Sequence, residues 1–413
     1  MLRKPDIRVR SVAISDTLDN PKRKISALRG GKSAGRAAVR EQVRVIDSEL
    51  NELWSLGRNI IVGWSPADSG MNVLAIPQYA LPELTDHYAE LLTGSHMMSA
   101  TKMDELARLL GAKPVFLALP FSIGPRSVPA RAVDSVVRRY SVTKSDHRAA
   151  ILFDIVGFSL YSPLEQVTLL NSLSYSINLA HSRGQANGLN IDLGRTTTGD
   201  GFYVWNRDEG VDADLALFYL LMLTLADNAI ARSRGAPRTA PVLRTCFHVG
   251  SHYEYYQAEG LNPEVSGFIV GDLTIELARM VNKTLPGQLL IGNFQRPTDD
   301  ARGLISSPNF VDRSQARLDL LKNIVMAGEN ISSIKCYLTG EPVGNGVYTV
   351  KKYSIADKHG MRRDVFNAKM NIYRGNAEAL YLGLGERDLE RFDAEGGDYL
   401  PAEDARPLLE AAL

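Results

Sequence analysis

The sequence predicts an α+β fold: a sheet covered by helices, built on a β-α-β-β-α-β run that starts near His147. Three observations carry that prediction. RAAILFDIVGFS (148–159) is an apolar run of strand length closing on Gly157. PLEQVTLLNSLSYSINLAHS then places apolar residues at 164, 167, 170, 173, 177 and 180, a helical stripe. LALFYLLMLTLA (215–226) is apolar on every side, too short to cross a bilayer and followed by Asp227, so it reads as a buried helix.

Taken in order, residues 1–36 mix Arg and Lys with Ser, Pro and Gly (NPKRK, RGGKSAGR) and read as a mobile basic arm. Residues 37–146 form an N-terminal α/β module: a helical pattern over 37–54, strand-like NIIVGW and VFLAL, and helix-like LPELTDHYAELL and KMDELARLL. The main domain, 147–352, opens with the strand and helix above. GLNIDLGRTTTGDGFYVWN follows as two extended runs about a TGDG turn, a hairpin whose bend falls on Gly199 and Gly201. After the buried helix come PVLRTCFHVGSHYEYY as strand, DLTIELARMVNK as helix and GQLLIGNF as strand, a succession of the ferredoxin-like kind. IKCYLTGEP and GVYTVKKYSIADKHG read as further strands, and 353–413 as a C-terminal extension with an acidic, partly helical tail.

Composition bounds the function. The chain has 413 residues with 47 Lys and Arg against 47 Asp and Glu, which argues against a nucleic-acid coat. The neutral total hides segregation: residues 1–44 carry twelve basic and four acidic residues, and 376–413 ten acidic and three basic. Cys246 and Cys336 are the only cysteines, without a CxxC pair, so neither a disulfide framework nor structural zinc is expected. The N-terminus has no apolar signal core. The expectation is a cytoplasmic protein that binds neither membrane nor nucleic acid.

Two carboxylates stand out. Asp154 ends an apolar strand, where an acid is costly unless paired or bound to metal. Asp200 lies in the hairpin turn, a position for which a plain turn role is the ordinary reading. If the strand and the hairpin are neighbours, the two carboxylates converge at one edge of the sheet. Paired oxygen ligands suit Mg²⁺ or Mn²⁺ carrying a triphosphate.

ILFDIVGFS, TTTGDGFYVW, RTCFHVG and GDLTIELARMVNKTLPGQLLIG, in that order, resemble the catalytic domain of class III nucleotide cyclases over about 148–294. The resemblance implies that Asp154, the Ile155 carbonyl and Asp200 hold two Mn²⁺ or Mg²⁺ ions per site. It implies that Gly157, Phe158 and Ser159 open the first helix and cradle phosphate. Arg279 matches the arginine that stabilises charge at the reacting phosphorus. The site would be shared, Asp154 and Asp200 of one chain facing Arg279 of the other in a homodimer. Lys335 lies near the place of a pyrophosphate-binding lysine.

The departures concern the base and the sugar. The two purine-reading positions hold Thr196 and Phe268, and a bulky Phe268 favours a smaller base, since an apolar wall selects mainly by volume. The position of the ribose-orienting Asn is Ile275, so that role is lost or passes to Thr274 or Glu276. The wording of RTTTGDGFYVWN, FHVGSHYEYYQAEGLNP and YSIADKHG is most similar to the bacterial pyrimidine cyclases of Pycsar antiphage defence. That resemblance implies cyclic CMP made from CTP, or cyclic UMP from UTP, as an alarm signal acting on a separate effector. A degenerate cyclase fold serving as a nucleotide-binding regulator is the alternative from another class, and a nucleic-acid-binding protein led by the basic arm is a third.

Charge agrees with a need for metal: residues 147–295 hold ten basic and fourteen acidic residues against a polyanionic substrate. Other reactive side chains have ordinary readings. His248 and His252 straddle a strand end, His181 closes a helix, Cys246 fills a core, and Tyr253, Tyr255 and Tyr256 serve packing or an interface. Arg195 and Tyr203 flank the hairpin as candidates for base or phosphate contact.

Overall fold

The computed structural model describes residues 30–81, 92–125, 127–235, 238–258, 265–318, 324–344, 346–375, 377–401 and 404–407. Residues 1–29 of the expected arm and nearly all of the expected LPELTDHYAELL helix lie outside the described residues.

Helix α1 (Gly30–Trp54) begins earlier than the apolar pattern predicts. Extending a helix whose later turns are packed costs little, even through glycine. β1 (Asn59–Ala67), β2 (Gly70–Pro77) and β3 (Val115–Ala118) form a three-stranded antiparallel sheet. Helices α2 (Ala100–Leu109) and α3 (Ala130–Val137) complete this region. Ile61, Trp64 and Val73 pack with Ile46, Leu50 and Trp54 of α1, whereas Ile60, Val62 and Leu74 pack with Met103 and Leu106 of α2. β1 and β2 are therefore covered on both faces, which explains their nearly continuous apolar runs, whereas β3 at the edge leaves Val115 and Phe116 exposed.

The second sheet is larger. β4 (Thr143–Ile155), α4 (Pro163–Ala186), β5 (Leu193–Thr197), β6 (Gly201–Asn206), α5 (Val211–Arg234) and β7 (Leu243–Ala258) follow in chain order. The strands stand side by side as β7-β4-β6-β5, every neighbour antiparallel. α4 starts behind Ser162, whose backbone N–H donates to Glu165 in a capping box with Pro163 at the first turn. α5 buries eighteen of its residues, as its all-round apolar character requires. It is also long and apolar enough to cross a membrane, but 89% of its apolar window is buried inside the protein.

β8 (Val265–Val270) pairs with the far end of β7, and α6 (Asp272–Lys283) leads into β9 (Leu289–Gly292), which runs parallel to β7. Beyond a two-stranded ribbon of β10 (Gln295–Pro297) and β11 (Leu304–Ser306) come α7 (Ser307–Leu318), β12 (Ile324–Met326), β13 (Glu329–Leu338), β14 (Gly340–Gly344), β15 (Val347–Ala356) and β16 (Arg362–Arg374). β17 (Leu380–Leu382), β18 (Glu395–Tyr399) and β19 (Arg406–Pro407) end the chain's described elements. The main sheet continues from β7 as β9-β16-β13-β12, so β16 stands in its interior.

Two cores lie on opposite faces of this sheet. Ala149, Ile151, Phe153 and Ile155 of β4 pack with α4 and α5. Ala150 and Leu152 pack instead with Leu273, Leu277 and Met280 of α6. The same alternation puts Asp154 on the α6 face.

Candidate active site

The C-terminal end of β4 lies between the hairpin and β7. In the register, Asp154 stands opposite Gly201 of β6 and opposite Arg244 of β7. The strand and hairpin are thus neighbours. Ile155 N–H donates to the Asp200 carbonyl at 2.9 Å, locking the turn residue to the strand end. Gly201 is required where the hairpin crosses β4, because a Cβ there would lie 1.9 Å from the Phe153 carbonyl oxygen. Gly199 takes φ +98°, a left-handed bend that a side chain disfavours. Its N–H donates to Thr197 Oγ1 at 3.0 Å, and Thr198 Oγ1 donates to Asp200 Oδ1 at 3.3 Å.

Asp154 is buried, 7% exposed, whereas Asp200 is half-buried. Arg244 Nε and Nη2 lie 2.7 and 2.6 Å from Asp154 Oδ2. Burial pushes the Asp154 carboxyl above its ordinary value; Arg244 opposes the rise and the adjacent Asp200 carboxylate adds to it. Arg244 was written into RTCFHVG, yet its role depends on the register of two strands ninety positions apart, which no local pattern carries.

Gly157 turns the chain with φ +65° into a single 3₁₀ turn, Phe158–Leu160, and the long helix opens only at Pro163. The expectation that Gly157, Phe158 and Ser159 open the first helix is thereby corrected. The physical reason is the Ser162–Pro163 start signal, which outcompetes any earlier one. The first N–H groups of the short turn still lack intrahelical acceptors. Ile155 keeps its side chain in the α4–α5 core.

The remaining expected residues do not join this corner within one chain. Thr196 pairs with Tyr203 at the start of the hairpin. Phe268 sits on β8 opposite Tyr255, their rings stacked at 5.7 Å, eleven positions along β7 from Arg244. Lys335 is on β13, separated from β4 by β16, β9 and β7. Arg279 on α6 pairs with Asp357 at 3.1 Å. Neither candidate for the sugar role at Ile275 is unengaged: Thr274 Oγ1 donates to the Gly271 carbonyl at 2.9 Å and Glu276 pairs with Arg363.

The flanking side chains are also accounted for. Arg195 turns toward α4, donating to Ser174 Oγ at 2.9 Å and lying over the Phe202 ring. Tyr203 donates to the Thr274 carbonyl at 3.1 Å, tying the hairpin to α6, and burial pushes its hydroxyl up to about 12. His181 does not close its helix, which runs on to Ala186; it hydrogen-bonds the Ile191 carbonyl at 2.9 Å. Cys246 is fully buried beside Thr284.

Two carboxylates, one at the end of β4 and one in the adjoining turn, an oxygen-only set with open positions, fit a hard divalent cation. Among the described residues no group of three or more His, Cys, Asp or Glu side chains clusters as a metal site. A cleft of about 1360 Å³ opens elsewhere, between Arg131, Arg138 and Arg139 at α3 and just after it and Asp208 and Glu209 of the β6–α5 connection with Asp212 in the first turn of α5, and neither Asp154 nor Asp200 lines it.

No family model matches the chain, and no curated protein matches it. Among solved structures it is similar to the catalytic core of a rhodopsin-guanylyl cyclase with converted specificity in complex with ATPalphaS. That match has 11% identity and a TM-score of 0.33, covering 57% of this chain and 98% of that one. It is also similar to the guanylyl cyclase Cya2 (13% identity, 56% and 94% covered, TM-score 0.31). A further match is the adenylyl cyclase CyaB from P. aeruginosa (11%, 57% and 97%, 0.30).

Proposed function

We propose that the chain is a nucleotide cyclase that acts as a homodimer and converts CTP to 3′,5′-cyclic CMP and pyrophosphate. The observation that carries the reading is the corner where Asp154 at the end of β4 meets Asp200 in the neighbouring hairpin turn, with Arg244 as counter-cation. In the reaction the ribose 3′-oxygen bonds to the α-phosphorus, the bond from that phosphorus to the bridging oxygen breaks, and pyrophosphate departs with the electron pair. The hydroxyl proton passes to water.

Asp154 and Asp200 would hold two Mn²⁺ or Mg²⁺ ions, with the Ile155 carbonyl as a further ligand. Bound there, divalent cations lower the cost of ionising the hydroxyl and of gathering charge on pyrophosphate. The chain's own residues do the rest. Gly157, Phe158 and Ser159 offer backbone N–H groups to the phosphates, Arg279 and Lys335 of the other subunit supply charge at the reacting phosphorus and at pyrophosphate, and Thr196 and Phe268 border the base. Supporting a shared site, Arg279 of one chain is engaged by its own Asp357, Lys335 lies beyond three intervening strands from β4, and Phe268 lies eleven positions along β7 from Arg244.

The choice of CTP rests on the volume taken by Phe268 and on the resemblance to the pyrimidine cyclases of antiphage defence, where the cyclic nucleotide acts on a separate effector; uridylate cyclisation is the second reading. The test is incubation of purified protein with each ribonucleoside triphosphate and Mn²⁺, products identified by mass spectrometry. Cyclic CMP as main product is expected. Cyclic UMP would shift the reading to the uridylate enzyme, a cyclic purine nucleotide would defeat the argument from Phe268, and no product would leave a nucleotide-binding regulator.

A further inference from the structure

The hairpin of β15 and β16 reaches the charged residues of α6 through Asp357 in its turn and Arg363 just beyond. Its turn brings Asp357 to Arg279 in a defined way. Asp357 Oδ1 accepts the backbone N–H groups of His359 at 2.8 Å and Met361 at 3.0 Å, which fixes the carboxylate within its own turn. Oδ2 lies 3.1 Å from Arg279 Nε and 3.7 Å from Arg363 Nη1. Arg363 pairs with Glu276, and Glu276 Oε1 lies 3.6 Å from Arg279 Nη1. The Asp357 side chain is 6% exposed, against 27% for Arg279. Under this network Tyr353, Ile355 and Val365 of the hairpin share a core with Leu273, Leu277 and Met280 of α6.

We propose that Asp357 is a positioning residue that aims Arg279 for phosphoryl transfer. The inference rests on the reading of Arg279 as the arginine at the reacting phosphorus. The contact is made at Nε, the base of the guanidinium, and not at both terminal nitrogens. Nη2 makes no ion pair or hydrogen bond among the described residues. Asp357 Oδ2 accepts no hydrogen bond among the described residues, so the hold on Arg279 is an ion pair at the base of its guanidinium; it leaves an N–H edge for a phosphoryl oxygen and narrows the side chain's range by charge attraction. Two acids and two arginines cancel in charge, so the network contributes orientation more than field. The hairpin is then working apparatus of the α6 side of the site.

The experiment compares full-length wild type with Asp357→Ala, Asp357→Glu, Arg279→Ala and the Asp357→Ala/Arg279→Ala pair, reading kcat and KM for CTP with Mn²⁺ and thermal unfolding for each. Asp357→Ala is expected to lower kcat about 10- to 100-fold, the range for loss of a group that orients a working ligand. KM should move little, the unfolding midpoint should fall because two backbone N–H groups and two guanidinium groups lose their partner, kcat is read well below that midpoint, and Asp357→Glu should recover part of the rate. The double variant should be no slower than Arg279→Ala alone, because the two losses are one. Full or raised kcat in Asp357→Ala beside a crippled Arg279→Ala would overturn this proposal only. A double variant slowed by the product of the two single factors would overturn it as well. A fully active Arg279→Ala would overturn the reading of Arg279 and the proposal together, as would a wild-type chain that turns over no triphosphate.

Discussion

Arg244 and Asp154 stand directly opposite each other on β7 and β4, and two nitrogens of the guanidinium grip one carboxylate oxygen. Arg244→Ala leaves that buried acid beside Asp200 with no cation against it. The variant should unfold about 1–2 kcal/mol more readily, the pair being partly exposed. It should also bind Mn²⁺ alone more tightly, since the corner then carries two uncompensated carboxylates, while turnover of CTP falls. Denaturant unfolding and metal titration without nucleotide check the two halves; weaker metal binding would contradict the assignment of this corner.

Asp154→Asn and Asp200→Asn should each cut kcat on the order of 10²- to 10³-fold, the size of effect seen when charge stabilisation is removed from an active site. The folded state should respond unequally. Asp200 is half-buried in a turn, so its variant should melt with the wild type; Asp154→Asn strands Arg244 in part and should melt lower. Steady-state rates together with circular dichroism melts separate chemistry from folding.

Acid should unfold this protein partly through His252. The residue is 1% exposed, neither ring nitrogen has a hydrogen-bond partner among the described residues, and burial, with Arg148 nearby, pushes its pKa down to about 3. Its unfolded value is about 6.5. Between those values the unfolded chain binds a proton that the folded chain refuses, so stability rises with pH across the window and is lost as pH falls from about 6.5 toward 3. The loss is on the order of a few kcal/mol. His252→Phe removes both orphaned nitrogens at similar volume and should flatten the melting temperature between pH 7 and 5.

Gly201→Ala should cost about 2 kcal/mol or more, since its Cβ would meet the Phe153 carbonyl oxygen, a backbone atom with little room to yield. The same displacement carries Asp200 away from Asp154, so activity should fall even at temperatures where the variant is folded. A variant that melts early but keeps its specific activity would show that the crossing stabilises the hairpin without aligning the carboxylates.

Much of this architecture could be read from periodicity. The apolar stripes of α4 and α6, the all-round apolar run of α5 and the TGDG bend announce their elements because the pattern of each is local in the chain. β16 escaped: RRDVFNAKMNIYR carries Arg, Asn and Lys through a strand flanked by β9, β13 and β15, where Asn367 is buried by hydrogen bonds to Thr339 and Leu384. Polar groups satisfied by distant neighbours leave no local trace. The same holds at the site. Asp154 was visible because an acid ending an apolar strand demands a reason, whereas Arg244 and Asp357 acquire theirs from register and from a hairpin far along the chain.

A single chain holds Asp154 and Asp200 in one corner and its own Arg279 against Asp357, and the proposed reading takes Arg279 for that corner from a second copy. Two-fold symmetry then yields two equivalent sites per dimer. Mix a chain bearing Asp154→Ala with one bearing Arg279→Ala, each inactive alone. In a mixed dimer the intact Asp154 of one chain faces the intact Arg279 of the other, while the second site carries both defects. Random exchange makes half the dimers mixed, each with one good site, so about a quarter of wild-type turnover should return. Native mass spectrometry establishes that exchange has occurred. Exchanged, folded dimers that stay inactive would place both residues in the same chain's site and end the shared-site reading.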